Sequence, residues 1–192
     1  SEGPSLRSAA HTLPQGRPAP KVERRRTNLR APLDSFFGRE AELEKLEQRL
    51  RGGGRLTTIL GAGGTGKTRL SQQLGAKMLG EFPGGVWFCD LSEAVSKAGI
   101  LGAMSTALGV PLTAKDPEAQ LTNVILGRGR VLILLDNFEQ VAEQAAATLG
   151  LWLARAPEAV FLVTSRTLLR IAGEEAFQLD PLGVSEAMAL FY

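Results

Sequence analysis

Cysteine and histidine are almost missing from these 192 residues: Cys89 is the only cysteine and His11 the only histidine. A lone thiol in an apolar, strand-like segment excludes an internal disulfide and reads as a small core residue, which suits a reducing cytoplasm. A lone histidine in a proline-rich stretch argues against histidine-based triads and clustered zinc ligands. Aromatic residues are 6% of the chain, apolar residues 44%, an ordinary balance for a soluble domain. No apolar run reaches membrane-spanning length and the first residues carry no secretory h-region, so no membrane partner is expected.

Excess charge is confined to one end. Residues 1–30 carry seven Lys/Arg against two acids (+5), which leaves 15 against 18 (−3) for the rest of a chain whose net charge is +2. That first stretch is rich in proline, glycine, serine and arginine and has no apolar periodicity, so it reads as a flexible basic linker. Arg24-Arg25-Arg26 is either a solvated cluster or a nucleic-acid contact. Residues 31–192 read as one folded domain, a length that can bury a substantial core.

Glycine is abundant where it matters. Gly61-Ala62-Gly63-Gly64-Thr65-Gly66-Lys67-Thr68 follows an apolar, β-branched run, Leu56 to Leu60, and precedes helically spaced residues from Arg69 to Leu74. This is the pattern of a P-loop. Phosphate oxygens must be met by several backbone N–H groups in one concavity, and glycines let the backbone curl that tightly. Lys67 and Arg69 stand at the head of the helix, whose free N–H groups and dipole favour an anion, and the Thr68 hydroxyl suits magnesium.

Arg130-Val131-Leu132-Ile133-Leu134-Leu135-Asp136 is an unbroken apolar run ending in a carboxylate. It suits a strand covered on both faces, with Asp136 emerging beside the P-loop to hold magnesium directly or through water, in the manner of a Walker B strand. Strands are also expected at Val86–Leu91, Ala159–Thr164 and Glu175–Leu179. Helices are expected around Leu43, Leu46 and Leu50, over Ile100–Leu108 and Pro117–Leu126, from Asn137 towards Arg155, and from near Ser185. The strand at Ala159–Thr164 ends in Ser165-Arg166, where the arginine either senses the γ-phosphate or pairs with surface acids.

Strands alternating with helices predict an α/β, three-layer P-loop NTPase fold with a mainly parallel five-stranded sheet. The spacing resembles the additional-strand class, with order 5-1-4-3-2. Four segments then resemble one branch of it: Phe36-Phe37-Gly38-Arg39-Glu40, Gly61 to Thr68, Leu134 to Glu139, and Val163-Thr164-Ser165-Arg166. They look like the STAND ATPases, an NB-ARC/AAA-like group, and most like the bacterial ATPases joined to SARP- or LuxR-type transcription factors, cyclases or kinases.

The resemblance implies an ADP-held closed form that a signal opens, that exchanges to ATP and self-associates, with linked sensor and effector domains and DNA reached through a linked domain. It also implies ATP/ADP and Mg2+ as ligands, with Phe37, Gly38 and Arg39 near the adenine and ribose, although Phe36 and Phe37 read equally as core. The helical and winged-helix lid of that group would follow residue 192. Many of its members carry a second acid after the Walker B aspartate. Here Asn137 stands there, and an amide cannot accept a proton from water. Glu139 is the remaining carboxylate, so slow ATP hydrolysis is expected, with a binding switch of negligible turnover as the alternative. A small-molecule kinase would need an acceptor site and a closing lid, for which the sequence offers no feature.

Overall fold

The computed structural model describes residues 26–30 and 38–181. Residues 1–25, Phe36, Phe37 and the helix expected near Ser185 lie outside them. Five strands form one sheet: β1 Leu56–Leu60, β2 Val86–Asp90, β3 Leu132–Asp136, β4 Val160–Ser165 and β5 Glu174–Gln178. Their order is β2-β3-β4-β1-β5. Every pairing is parallel. This is the expected 5-1-4-3-2 order read from the opposite edge, with the sheet parallel throughout.

The unbroken apolar run of β3 has a simple cause. Side chains of a strand alternate between faces. Leu132 and Leu134 join one core with Ile59, Val160 and Leu162, beneath Leu43, Leu46 and Leu50 of helix α1 (Glu40–Arg51) and Leu70, Leu74 and Met78 of α2 (Lys67–Met78). Ile133 and Leu135 join the other core with Trp87, Phe161 and Val163. That core is covered by α3 (Lys97–Leu108), α4 (Pro117–Gly127) and α5 (Leu151–Arg155). A strand covered on both faces has no polar side to show, and three layers follow. Among the described residues no helix is long and apolar enough to cross a membrane.

Two expectations change. The single helix expected from Asn137 towards Arg155 is broken into a 3-10 stretch, Phe138–Gln144, a π-turn, Ala146–Gly150, and α5. Asn137 lies in the left-handed region (φ 61, ψ 42) and Val141 is non-helical (φ −128), which lets both Phe138 and Val141 turn into the core. Asparagine tolerates that backbone better than most residues.

The second change concerns residues 26–30, which composition assigns to the linker. They lie along β2. The Val86 N–H donates to the Arg26 carbonyl (2.9 Å). The Asn28 side chain donates to the Phe88 carbonyl and accepts from the Phe88 N–H, both at 2.7 Å. Gly85, at φ 91, makes the approach possible, because a Cβ there would stand 2.1 Å from the Arg26 carbonyl oxygen. These attachments use backbone and one amide, so apolar periodicity carries no trace of them. Arg26 itself donates to the Phe82 carbonyl (3.2 Å), against the sheet edge.

Candidate functional site: a phosphate cradle at the carboxyl edge of the sheet

The P-loop leaves β1 and enters α2 through a backbone that only glycine fits comfortably. Gly64 and Gly66 have φ values of 78 and 88, and a Cβ at Gly61 would sit 2.6 Å from the Leu179 carbonyl oxygen. The Thr65 hydroxyl closes the turn by donating to the Ala62 carbonyl (3.0 Å). Lys67 opens α2 and donates from its ammonium to the carbonyls of Gly61 (2.9 Å) and Ala62 (2.8 Å). Burial lowers its pKa; Glu139 raises it, Arg166 lowers it and Asp136 raises it, and the net result is below the ordinary lysine value. The ammonium is thus held over the loop mouth, where the free N–H groups of the α2 N-terminus also favour an anion.

Asp136 ends β3 and is 2% exposed. The Thr68 hydroxyl lies 2.9 Å from its Oδ1 and 2.8 Å from its Oδ2. The Thr164 hydroxyl, at the tip of β4, donates to Oδ1 at 2.5 Å and accepts from the Asn137 N–H (3.1 Å). The Asn137 amide donates to Asp136 Oδ2 (3.1 Å) and to Oδ1 of Asp90 (3.1 Å), which ends β2. Burial pushes the Asp136 carboxyl above its ordinary value, the Thr164 and Thr68 donors pull it back, and the charges of Asp90 and Glu139 push it up again. Burial also works upward on Asp90, but the donors from Ser92 and Asn137 outweigh it and leave its carboxyl below the usual range.

The adjacency of one hydroxyl and one carboxylate fits magnesium. That ion takes hard oxygen ligands, keeps several waters and is usually held by one or two carboxylates together with phosphates. Among the described residues no group of three or more His, Cys, Asp or Glu could hold a metal alone. A phosphate-shared ion is the arrangement these residues suit.

Glu139 is brought to the same place. After the left-handed turn at Asn137 the chain curls back, and Glu139 lines a cavity of about 330 Å3 with Gly63, Gly64, Gly66, Lys67, Thr68, Arg69, Asn137 and Arg166. Its Oε1 pairs with Arg166 Nε at 3.3 Å, while its buried Oε2 has no hydrogen-bond partner. Arg166 leans over the loop: a Cβ at Gly63 would come within 3.2 Å of its Nη2. A larger cavity of about 610 Å3 lies near Asn28, Trp87 and Arg128 and is lined by none of these residues.

Of the residues expected near adenine, Phe37 lies outside the described residues and Gly38 takes the left-handed backbone (φ 83). Arg39 is buried and its guanidinium is committed to protein, donating to Glu42 (2.7 Å) and to the carbonyls of Thr65 (3.3 Å) and Asp180 (2.6 Å). It ties the first helix and the segment after β5 to the P-loop. Sequence reasoning missed Asp90 and the specific role of Thr164. The only available signal was that each is a polar residue at the carboxyl end of an apolar strand, as Asp136 is.

Comparison with known proteins agrees with this geometry. An uncharacterized protein of Mycobacterium tuberculosis is 34% identical over 173 residues, 90% of this chain and 44% of that protein. A putative HTH-type transcriptional regulator of the same organism is 33% identical over 139 residues, 71% of this chain and 15% of that protein. The chain therefore spans less than half the length of these relatives. Among solved structures, Cdc6p from Pyrobaculum aerophilum superposes with a TM-score of 0.65 at 16% identity, over 82% of this chain and 49% of that one. A STAND protein with a tetratricopeptide repeat sensor from Pyrococcus horikoshii gives 0.50 at 22% identity, over 83% and 25%. The family model of the AAA domain matches residues 49–171, from the end of α1 past the tip of β4, and the chain belongs to that family of P-loop ATPase domains.

Proposed function

We propose that this chain is the nucleotide-binding core of a STAND-type signal-transduction ATPase: a cytoplasmic ADP/ATP switch that hydrolyses ATP slowly, self-associates when ATP-bound and controls transcription through a linked effector domain. The observation that carries it is the convergence of Lys67, Thr68, Asp136, Glu139 and Arg166 on one cradle. The regulator-like relative supports the effector reading, and the shared fold of the STAND protein is consistent with it.

In this reading the P-loop N–H groups and Lys67 hold the phosphates, and Thr68 and Asp136 hold the cation. Magnesium, when bound, supplies neutralisation of charge on the phosphate oxygens. Arg166 stands by the loop as the group that distinguishes a triphosphate from a diphosphate. Glu139 lines the cradle as a carboxylate able to accept a proton from water, with Asp136 committed to the cation. Its ion pair with Arg166 competes with that task, which is why turnover is slow. The same pair, with the Asn137 amide donating to two carboxylates, favours a second reading: a binding switch with negligible hydrolysis.

Thermal unfolding with ADP, ATP and GTP, each with and without Mg2+, tests binding. A ligand specific for the folded state at 100 times its Kd stabilises by about 2.7 kcal/mol. Adenine nucleotides should raise the midpoint of the parent and not of Lys67→Ala; a parent that responds to none refutes the proposal. Single-turnover hydrolysis separates the two readings. A rate abolished in Glu139→Gln supports the ATPase, and one unchanged in that variant leaves the binding switch.

A further inference from the structure

Asp90 and Asp136 are register partners on adjacent parallel strands, two carboxylates at the same level of the sheet's carboxyl edge. Neighbouring strands are only about 4.8 Å apart, and like charges directly opposite one another are destabilising. The Asn137 amide is what joins them. A primary amide has two N–H donors, and the same Nδ2 lies 3.1 Å from Asp90 Oδ1 and 3.1 Å from Asp136 Oδ2. Each carboxylate receives one of those donors.

Both ends of this link are fixed. The Asn137 backbone N–H is held by the Thr164 hydroxyl (3.1 Å), and Asp90 Oδ1 accepts from the Ser92 N–H (2.9 Å). Asp136 is therefore clamped through both oxygens, by Thr164 on Oδ1 and by Asn137 on Oδ2, in the orientation that meets Thr68.

We propose that Asp90 is a positioning residue of the cation site: by anchoring the Asn137 amide it fixes the Asp136 carboxylate in the orientation that holds magnesium. The inference rests on the reading of Thr68 and Asp136 as the magnesium residues. It also gives Asn137 a positive role, since a neutral double donor lets the two acids coexist where a third carboxylate would add repulsion.

Partners that orient a metal-ligating carboxylate typically change metal affinity 10–100-fold when removed. The test is the Mg2+ concentration that half-saturates the ADP-induced rise in unfolding midpoint, measured on the full chain for the parent, Asp90→Ala, Asp90→Asn, Asn137→Ala and the double alanine variant. Asp90→Ala is expected to raise that concentration about tenfold and to leave the Mg2+-free shift by ADP unchanged. Asp90→Asn, which keeps an acceptor oxygen, is expected to restore most of it. The double variant should need no more Mg2+ than Asn137→Ala alone, because Asp90 acts through that amide.

A merely structural Asp90 would lower the midpoint without nucleotide and leave the Mg2+ requirement untouched, and that result overturns the inference. So does additivity in the double variant. A parent without any Mg2+-dependent shift overturns the reading of the site itself, a failure visible before any variant is made.

Discussion

Replacing Thr164 by valine removes a single hydroxyl from the buried centre of the site and keeps the branched side chain that β4 prefers. Two hydrogen bonds go with it, the one donated to Asp136 Oδ1 and the one accepted from the Asn137 N–H. A bond to a charged group contributes about 1.5–3 kcal/mol, and a buried group left unpaired costs about 1–3 kcal/mol. Asn137 is half-buried, so water can partly replace the second bond and its lower range applies. The expected loss is about 3 kcal/mol, or roughly 6–12 °C of melting temperature at about 2–4 °C per kcal/mol for a chain of this size.

The pH dependence gives the prediction its specificity. Burial already holds the Asp136 carboxyl above its ordinary value of 3.8. An acid whose folded-state pKa is raised weakens the fold at pH above that value, and the penalty is relieved as pH falls through the folded pKa. Valine removes a donor that serves the ionised form, so it raises the folded pKa further. The defect of Thr164→Val should be largest at neutral pH and shrink as pH falls towards 3.8. Urea unfolding of parent and variant at a series of pH values measures this. A variant within about 0.5 kcal/mol of the parent at pH 7, the range of ordinary surface substitutions, would refute the reasoning. So would a defect that stays constant with pH.

Gly75→Ala should destabilise by about 1–3 kcal/mol through overpacking, even though alanine is the better helix former, because its Cβ would meet Leu134 Cδ1 at 2.7 Å and Val86 Cγ1 at 2.9 Å. Chemical denaturation checks it, and a more stable variant would show that α2 is not seated that closely on the sheet. Arg39→Ala strips donors from the carbonyls of Asp180 and Thr65 and from Glu42. Both stability and ADP affinity should fall, by about 2 kcal/mol for stability, and an ADP titration unchanged beside lowered stability would detach Arg39 from the loop's function. Burial, with the charge of Asp90 second, pushes the Cys89 thiol up to about 12. The native protein should therefore resist thiol reagents at pH 8 and label only at its unfolding rate, and stoichiometric labelling within minutes would contradict that environment.

The features legible in the sequence are those that local spacing governs. The β3 run announced its own burial on two faces, and the glycines of the P-loop announced a tight backbone between strand and helix. The bonds that assemble the site obey no local rule. Thr164 reaches Asp136 across 28 residues, Asn137 reaches Asp90 across 47, Thr68 reaches Asp136 across 68 and Arg39 reaches Asp180 across 141. Parallel register accounts for the first two by bringing the carboxyl ends of β2, β3 and β4 to one level, while Thr68 reaches in from the first turn of α2 and Arg39 from the residue before α1. The attachment of residues 26–30 was hidden for a different reason, since it is made mainly by backbone groups, the Asn28 amide and the Arg26 guanidinium, with Leu29 as a lone apolar contact that sets up no periodicity.

Asn137 shows how a residue read as a deficit becomes a determinant of the site. Its amide cannot take the proton that a second acid would take, and an α-helix begun at this position would carry Glu139 up and away along its axis. The residue instead adopts φ 61, the chain turns back through a 3-10 stretch, and Glu139 returns to the cavity beside Lys67 and Arg166. The side chain of Asn137 spaces two carboxylates while its backbone delivers a third to the cradle. On the proposed function these two duties divide the activity. The amide, through Asp90 and Asp136, governs how tightly the cation is held, and the left-handed turn, through Glu139, governs how fast the bound nucleotide is hydrolysed. Glycine at this position keeps the turn and loses the amide, so it should raise the Mg2+ concentration that half-saturates the ADP-induced rise in unfolding midpoint while changing the single-turnover rate at saturating Mg2+ far less.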